Sequence, residues 1–292
     1  MATPRQWLEG ARPRTLPAAI SPVVAGSGIA AHEGAFHLVA ALLCLVVALA
    51  LQVGVNYAND YSDGVRGTDA QRVGPMRLVG SGAAEPGHVK AAAFGCFALA
   101  GLAGLGLVLL TQLWWLLVVG AAAIAAAWFY TGGTRPYGYL GLGEVFVFVF
   151  FGLVAVSGTV LVQLGRTTAA TWAAAVAIGS LACAILVANN LRDLRGDAAV
   201  GKRTLATRLG DRGTRWFFAA LVLVAAGAVL LVAAWTTRWA LLGLALVPLL
   251  YLPVREVLAG ASGRALIVVL KRVGLAELAA AAGLALGLVI GR

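Results

Sequence analysis

FHLVAALLCLVVALALQVGVNY, residues 36–57, runs 22 positions without a formal charge, and NDYSDGVRGTD, residues 59–69, follows almost at once with three aspartates. As a helix rising ~1.5 Å per residue, the first stretch reaches about 33 Å. That is enough to cross ~30 Å of hydrocarbon. The acids then sit at the mouth of a membrane span, where a carboxylate is expensive unless it has work to do.

The rest of the chain repeats the apolar pattern. Hydrophobic residues make up 61% and charged residues 12%, with a mean hydropathy of +0.91, outside the range of soluble domains. Nine apolar blocks can be marked: 15–32, 36–57, 89–110, 113–129, 144–164, 170–189, 216–235, 239–258 and 272–290. In lipid each must satisfy its own backbone, so helices are predicted. The expected fold is an all-α integral membrane protein of nine transmembrane helices around a central cavity. Residues 1–292 form one domain, with the first aspartate motif (59–69) carried by spans 1–4 and the second (189–204) by spans 5–9. Pro17 and Pro22 are expected to kink the first span. No cleavable signal precedes it, because no apolar core leads to a small-residue cleavage site.

Charge sets the orientation. With a cytoplasmic N-terminus, all of the 22 basic residues fall on the inner side except Arg166, Arg238 and Arg292, as the positive-inside rule requires. The net charge of +10 is therefore a topology signal and gives no reason to invoke nucleic acid. Trp114, Trp115, Trp172, Trp235 and Trp239 fall at predicted outer ends, where an aromatic belt would lie. Cys44, Cys96 and Cys183 lie inside spans at unrelated spacings and read as packing residues. His32, His37 and His88 read as surface residues at span ends. Glu277, one turn inside the last span near Lys271 and Arg272, reads as a snorkelling or paired acid.

Two inner loops, 58–88 and 190–215, are long and acidic as well as basic. The second contains NNLRDLRGDAAVGKRT, residues 189–204. Asn189, Asp193 and Asp197 are spaced i, i+4, i+8 and share one face of a helix that continues the span. Asn56, Asp60 and Asp63 share a face in the same way. Spans 2 and 6 run in the same direction and both end in Asn-then-Asp clusters, so a bundle can bring the clusters together. Gly67, Gly82 and Gly196 are expected to loosen the two loops. Paired oxygen-donor clusters suit Mg2+, which takes one or two carboxylates together with substrate phosphates. Arg66, Arg72, Arg77, Arg135, Arg192, Arg195, Lys202 and Arg203 lie on the same side for phosphate oxygens. The inferred substrate has a diphosphate head and a lipid tail lying between helices.

These motifs resemble those of the UbiA superfamily of intramembrane prenyltransferases. NDYSDGVRGTD followed by RVGPMRLVGSG is similar to its first aspartate motif, and NNLRDLRGDAAVGKRTLATRLG to its second, with DxxxD at Asp193 and Asp197. GARPRTLPAAISPVVAGSG, GKRTLATRLG and YTGGTRPYGYLGLGE look most like the menaquinone-pathway branch. The likeness covers most of the chain. One departure is Gly67, where the commoner pattern has another Asp; the next acid is Asp69.

The resemblance implies Mg2+ on Asn59, Asp60, Asp63, Asp69, Asp193 and Asp197, with Arg135 and Lys202 assisting departure of the diphosphate. Substrate contacts are expected from Asn56, Asn59, Arg66, Arg72, Arg77, Tyr130, Asn189 and Asn190. Arg14 would face the carboxylate of an aromatic acid. The implied partners are the bilayer, a polyprenyl diphosphate and 1,4-dihydroxy-2-naphthoate, whose ring carboxylate is lost as CO2 at the cytoplasmic face of the cell membrane. Two alternatives stay open: another acceptor, of 4-hydroxybenzoate or haem type, because aspartate motifs read the diphosphate alone, and a cation transporter. A transporter would place its acids near mid-membrane.

Overall fold

Helices account for every regular element in the described residues of the computed structural model, which are 2–67 and 76–292. Asp69 and Arg72 lie outside them. The order is α1 (Pro4–Ala11), α2 (Leu16–His32), α3 (Leu38–Arg66), α4 (Pro86–Thr111), α5 (Leu116–Phe129), α6 (Gly143–Val147), a π-helical stretch (Phe148–Val154), α7 (Ala155–Leu164), α8 (Ala169–Ala199), α9 (Leu205–Trp235), α10 (Leu246–Leu258) and α11 (Arg264–Ile290). Short 3-10 turns precede α2, α6 and α10.

Each of the nine apolar blocks is mostly helical. Among the described residues, seven helical segments are long and apolar enough to cross a membrane, with α6, the π stretch and α7 forming one of them and α10 and its 3-10 turn another. The molecule is a multi-pass membrane protein. α2, at 17 residues, and α5, at 14, are shorter. α2 runs on as helix through Pro22, while Pro17 sits in its first turn, where a missing N–H costs nothing.

α8 is the hub. Of its most apolar window 78% is buried, against 22% for α3, and it packs on α9, α11, α2, α6, the π stretch and α7. Its sequence, AATWAAAVAIGSLACAILVANN, explains this. Small side chains let neighbouring backbones approach, which is how helices associate in lipid. At the crossing with the π stretch, a Cβ on Gly152 would stand 2.7 Å from the Gly179 Cα. α3 pairs chiefly with α4. The five belt tryptophans are all exposed at helix ends, and the three cysteines are free, with Cys44 and Cys183 buried.

Four expectations need correcting. Gly196 does not loosen the second acidic segment: α8 continues the span as expected, running through Gly196 to Ala199, and α9 starts at Leu205. The apolar blocks also miss a helix ahead of the first of them: α1 is capped by Thr3 with a reciprocal Gln6 contact and started by Pro4. Glu277 is wholly buried and neither carboxylate oxygen has a hydrogen-bond partner, while Arg272 pairs with Glu256 at 2.8 Å. His32 is also half-buried, its Nδ1 3.0 Å from the Leu288 carbonyl.

Candidate active site

A cavity of about 1300 Å3 opens among the helices. On α3 its lining runs from Cys44 to Asp63, about 28 Å at the helical rise, nearly a full hydrocarbon thickness. Its deep part is apolar, with Val23, Leu107, Leu116, Phe150 and Val162. Its mouth is polar and is built from the C-terminal ends of α3 and α8.

Those ends stay helical for local reasons. α3 stops at Gly67, whose φ of 72° suits the left-handed cap. α8 carries Asn189, Asp193 and Asp197 down one side before its own stop, and all three line the cavity. The chain then turns back at once. The Lys202 N–H donates to the Asp197 carbonyl (2.9 Å) and the Arg203 N–H to the Tyr139 carbonyl (3.0 Å). This turn sets Lys202 between the two motifs: its Nζ is 3.7 Å from Asp63 Oδ1 and 3.9 Å from Asp197 Oδ1. The Lys202 ammonium also stands 4.4 Å from the centre of the Tyr139 ring, whose hydroxyl donates to Asp63 Oδ1 at 2.5 Å. Burial works against the Lys202 charge, but Asp63, Tyr139 and Asp197 outweigh it and raise its pKa above the ordinary lysine value.

The other acids are matched as well. Arg77 approaches Asp63 Oδ2 at 3.7 Å, and Arg192 holds Asp193 through two bonds of 2.6 and 2.7 Å. Asn59 accepts from the Thr131 hydroxyl at 2.7 Å. Asn190 donates to Glu144 Oε1 at 2.9 Å, and Tyr130 lines the wall beside them. Asn56 donates to the Ala11 carbonyl (2.9 Å) and to Thr15 Oγ1 (3.0 Å), to which Gln52 also donates (3.0 Å).

Four expected site residues take other places. Asp60 is fully buried, turned away from the cavity, and its two oxygens accept from the backbone N–H groups of Leu78 (2.8 Å) and Val79 (2.9 Å). It holds the returning segment that carries Arg77. Arg66 donates to the carbonyls of Thr131 and Gly133 and does not line the cavity. Arg135 is exposed and does not line it either. Arg14 lines it but is exposed. Conversely, Tyr139, Glu144 and Arg12 were not foreseen. The first two lie in YTGGTRPYGYLGLGE, and the signal there was a tyrosine and an acid among glycines.

The donors at the mouth are hard oxygens. Among the described residues no three acidic, histidine or cysteine groups gather closely enough to cage an ion. The acids lie on two walls, one or two to a wall. That suits a divalent cation held partly by a substrate's phosphates.

Residues 19–265 match the UbiA prenyltransferase family. The chain belongs to that family. A 1,4-dihydroxy-2-naphthoate octaprenyltransferase from Mycobacterium tuberculosis is 53% identical over 292 residues, covering 100% of this chain and 99% of the relative. A protein of the same name from Escherichia coli is 41% identical over 223 residues, covering 74% and 72%. Among solved UbiA structures, the apo homolog from Aeropyrum pernix K1 has a TM-score of 0.73 at 16% identity, covering 91% and 96%. A homolog from Archaeoglobus fulgidus bound to GPP and Mg2+ has a TM-score of 0.70 at 14% identity, covering 98% and 99%. At that identity the structures establish the UbiA fold alone.

Proposed function

We propose that this protein transfers a polyprenyl group from polyprenyl diphosphate to 1,4-dihydroxy-2-naphthoate at the cytoplasmic face of the cell membrane. The observation that carries the reading is Lys202 standing between Asp63 of the first motif and Asp197 of the second, at the mouth of a cavity whose depth is apolar. A charged head and a greasy tail fit one end each. The naphthoate acceptor rests on the full-length 53% relative. The chain works as one transmembrane unit with all nine helical segments crossing and the N-terminus inside, supported by the distribution of basic residues.

Asp63, Asn59, Asp193 and Asp197 are the residues suited to hold Mg2+, which when bound would neutralise charge growing on the leaving diphosphate. Lys202, Arg77 and Arg192 each lie against an acid without substrate and turn to phosphate oxygens once substrate brings its own charge. Preorganised cations of this kind supply the main electrostatic part of catalysis. Asp60 serves by fixing the Arg77 segment. As the allylic C–O bond breaks, the apolar wall with Phe146 and Phe150 keeps water from the cationic carbon. The ring carbon that bears the carboxylate donates an electron pair to that carbon while the diphosphate departs with the C–O pair, and loss of the carboxylate as CO2 returns its C–C pair to the ring and restores aromaticity.

Purified protein with labelled polyprenyl diphosphate and a panel of aromatic acids tests this. Transfer to the naphthoate, abolished by chelation and restored by Mg2+, is expected. Full turnover in excess chelator, or preference for 4-hydroxybenzoate, would refute the metal or the acceptor respectively.

A further inference from the structure

The cavity wall contains a cation with an unmatched nitrogen among the described residues. Arg12 lines the cavity, and its Nη2 is buried without a hydrogen-bond partner. An unmatched guanidinium nitrogen out of water is costly. Three other cations that line the cavity, Lys202, Arg77 and Arg192, lie against acids. Arg12 does not.

Its backbone adds a second, independent sign. Arg12 ends α1 in the left-handed conformation, with φ 55° and ψ 69°, and its N–H caps the Glu9 carbonyl. That stop ordinarily takes Gly or Asn, and a side chain there is strained. A strained residue held at a cavity wall points to use of its side chain.

The surroundings indicate which ligand. Arg12 adjoins Ala11, to which Asn56 is bonded, and Asn56 lies seven residues before Asp63 on α3, about 10 Å deeper along the helix. Diphosphate at the acids therefore leaves this level for the second substrate. Beside it, the amide nitrogens of Asn56 and Gln52 are committed to Thr15 and Ala11, which leaves their carbonyl oxygens as acceptors for hydroxyl groups. A planar guanidinium matches a carboxylate bidentately.

We infer that Arg12 is the acceptor-reading residue: its guanidinium takes the carboxylate of the aromatic acid, while Asn56 and Gln52 accept from ring hydroxyls. This rests on the prenyl-transfer reading and assigns the acid's anchor to Arg12 in place of the exposed Arg14. When the carboxylate leaves as CO2, the product loses that anchor and its hold on the site weakens.

The decisive variant is Arg12→Gly, because glycine suits the left-handed stop and should leave the fold intact or more stable. Expected are a KM for 1,4-dihydroxy-2-naphthoate raised at least 10-fold, a KM for polyprenyl diphosphate within twofold of wild type, and unchanged handling of 1,4-dihydroxynaphthalene, which lacks the carboxylate. Arg12→Lys should recover part of the loss, and Arg5→Gln, which removes a charge from the exposed side of α1, should recover wild-type values. A rise in the diphosphate KM instead would assign the guanidinium to phosphate and overturn the inference, as would no change in either. Calorimetric titration of the naphthoate, without prenyl donor, separates this from the function itself. Binding by wild type and not by Arg12→Gly supports the inference even if no transfer is seen, whereas equal binding by both refutes it even if transfer proceeds.

Discussion

Asp60 and Asp63 stand one turn apart on α3 and do different work. Asp63 faces the cavity among Lys202, Arg77 and Tyr139, whereas Asp60 accepts two backbone N–H groups from the returning segment. Asp63→Asn is expected to lower turnover about 100-fold, roughly 2.7 kcal/mol of barrier, in a protein that stays inserted. Asp60→Asn removes an acceptor for one backbone N–H, a loss of ~1–3 kcal/mol, so its first sign should be a lower melting temperature in detergent. Equal turnover losses at unchanged melting temperature would return Asp60 to the metal. Lys202 raises no pH limit in the neutral range: its raised pKa means that its stabilisation is complete below pH ~10.4 and fades only as pH climbs through the higher folded value. The Asn189, Asp193 and Asp197 face was legible because helical spacing alone decides it. Asp60 misled because its partners lie 18 and 19 residues away, where no local pattern reaches. Arg12 and Tyr139 were hidden for the same reason, since each matters through the wall it meets in space.

At the level of elements, apolar length located every block that became helix, because lipid leaves the backbone no alternative. What length did not reveal was α1, too short and polar to register. It rests on α3 by way of the Tyr57 hydroxyl, which donates to the Trp7 carbonyl at 3.0 Å, and the Trp7–Tyr57 edge contact at 5.5 Å. Composition also said nothing about how closely helices approach. α11 meets the 3-10 turn Arg238–Ala245 so tightly that a Cβ on Gly287 would stand 2.0 Å from the Trp239 carbonyl oxygen and one on Gly283 2.3 Å from that of Leu242. Gly287→Leu must push backbone apart, a cost of about 1–3 kcal/mol or more. It should lower yield and melting temperature while the folded fraction keeps wild-type KM values, since this contact does not line the cavity. An unchanged melting temperature would mean that the two elements part easily and that their tight approach contributes little.

For the whole molecule, the proposed chemistry lies at one end of the bundle, and the charge pattern predicts which side of the membrane that end faces. Both motif-bearing ends, α1 and the Lys202 turn meet at the same mouth, and the loops around it hold most of the basic residues. Basic loops of short length are retained on the cytoplasmic side, so the diphosphate should be taken from the cytoplasm. Ser81 is exposed beside the mouth and Thr167 lies half-exposed in the turn between α7 and α8, which belongs to the opposite side. Ser81→Cys is expected to react with an impermeant thiol reagent only in inverted vesicles, and Thr167→Cys in spheroplasts. Cys44 and Cys183 are buried and Cys96 is half-buried within α4, so native thiols should give little background once Cys96 is replaced. Labelling of Ser81→Cys from outside would invert the bundle. The metal-suited acids would then face away from the cytoplasm, and the prenyl donor would have to be supplied there.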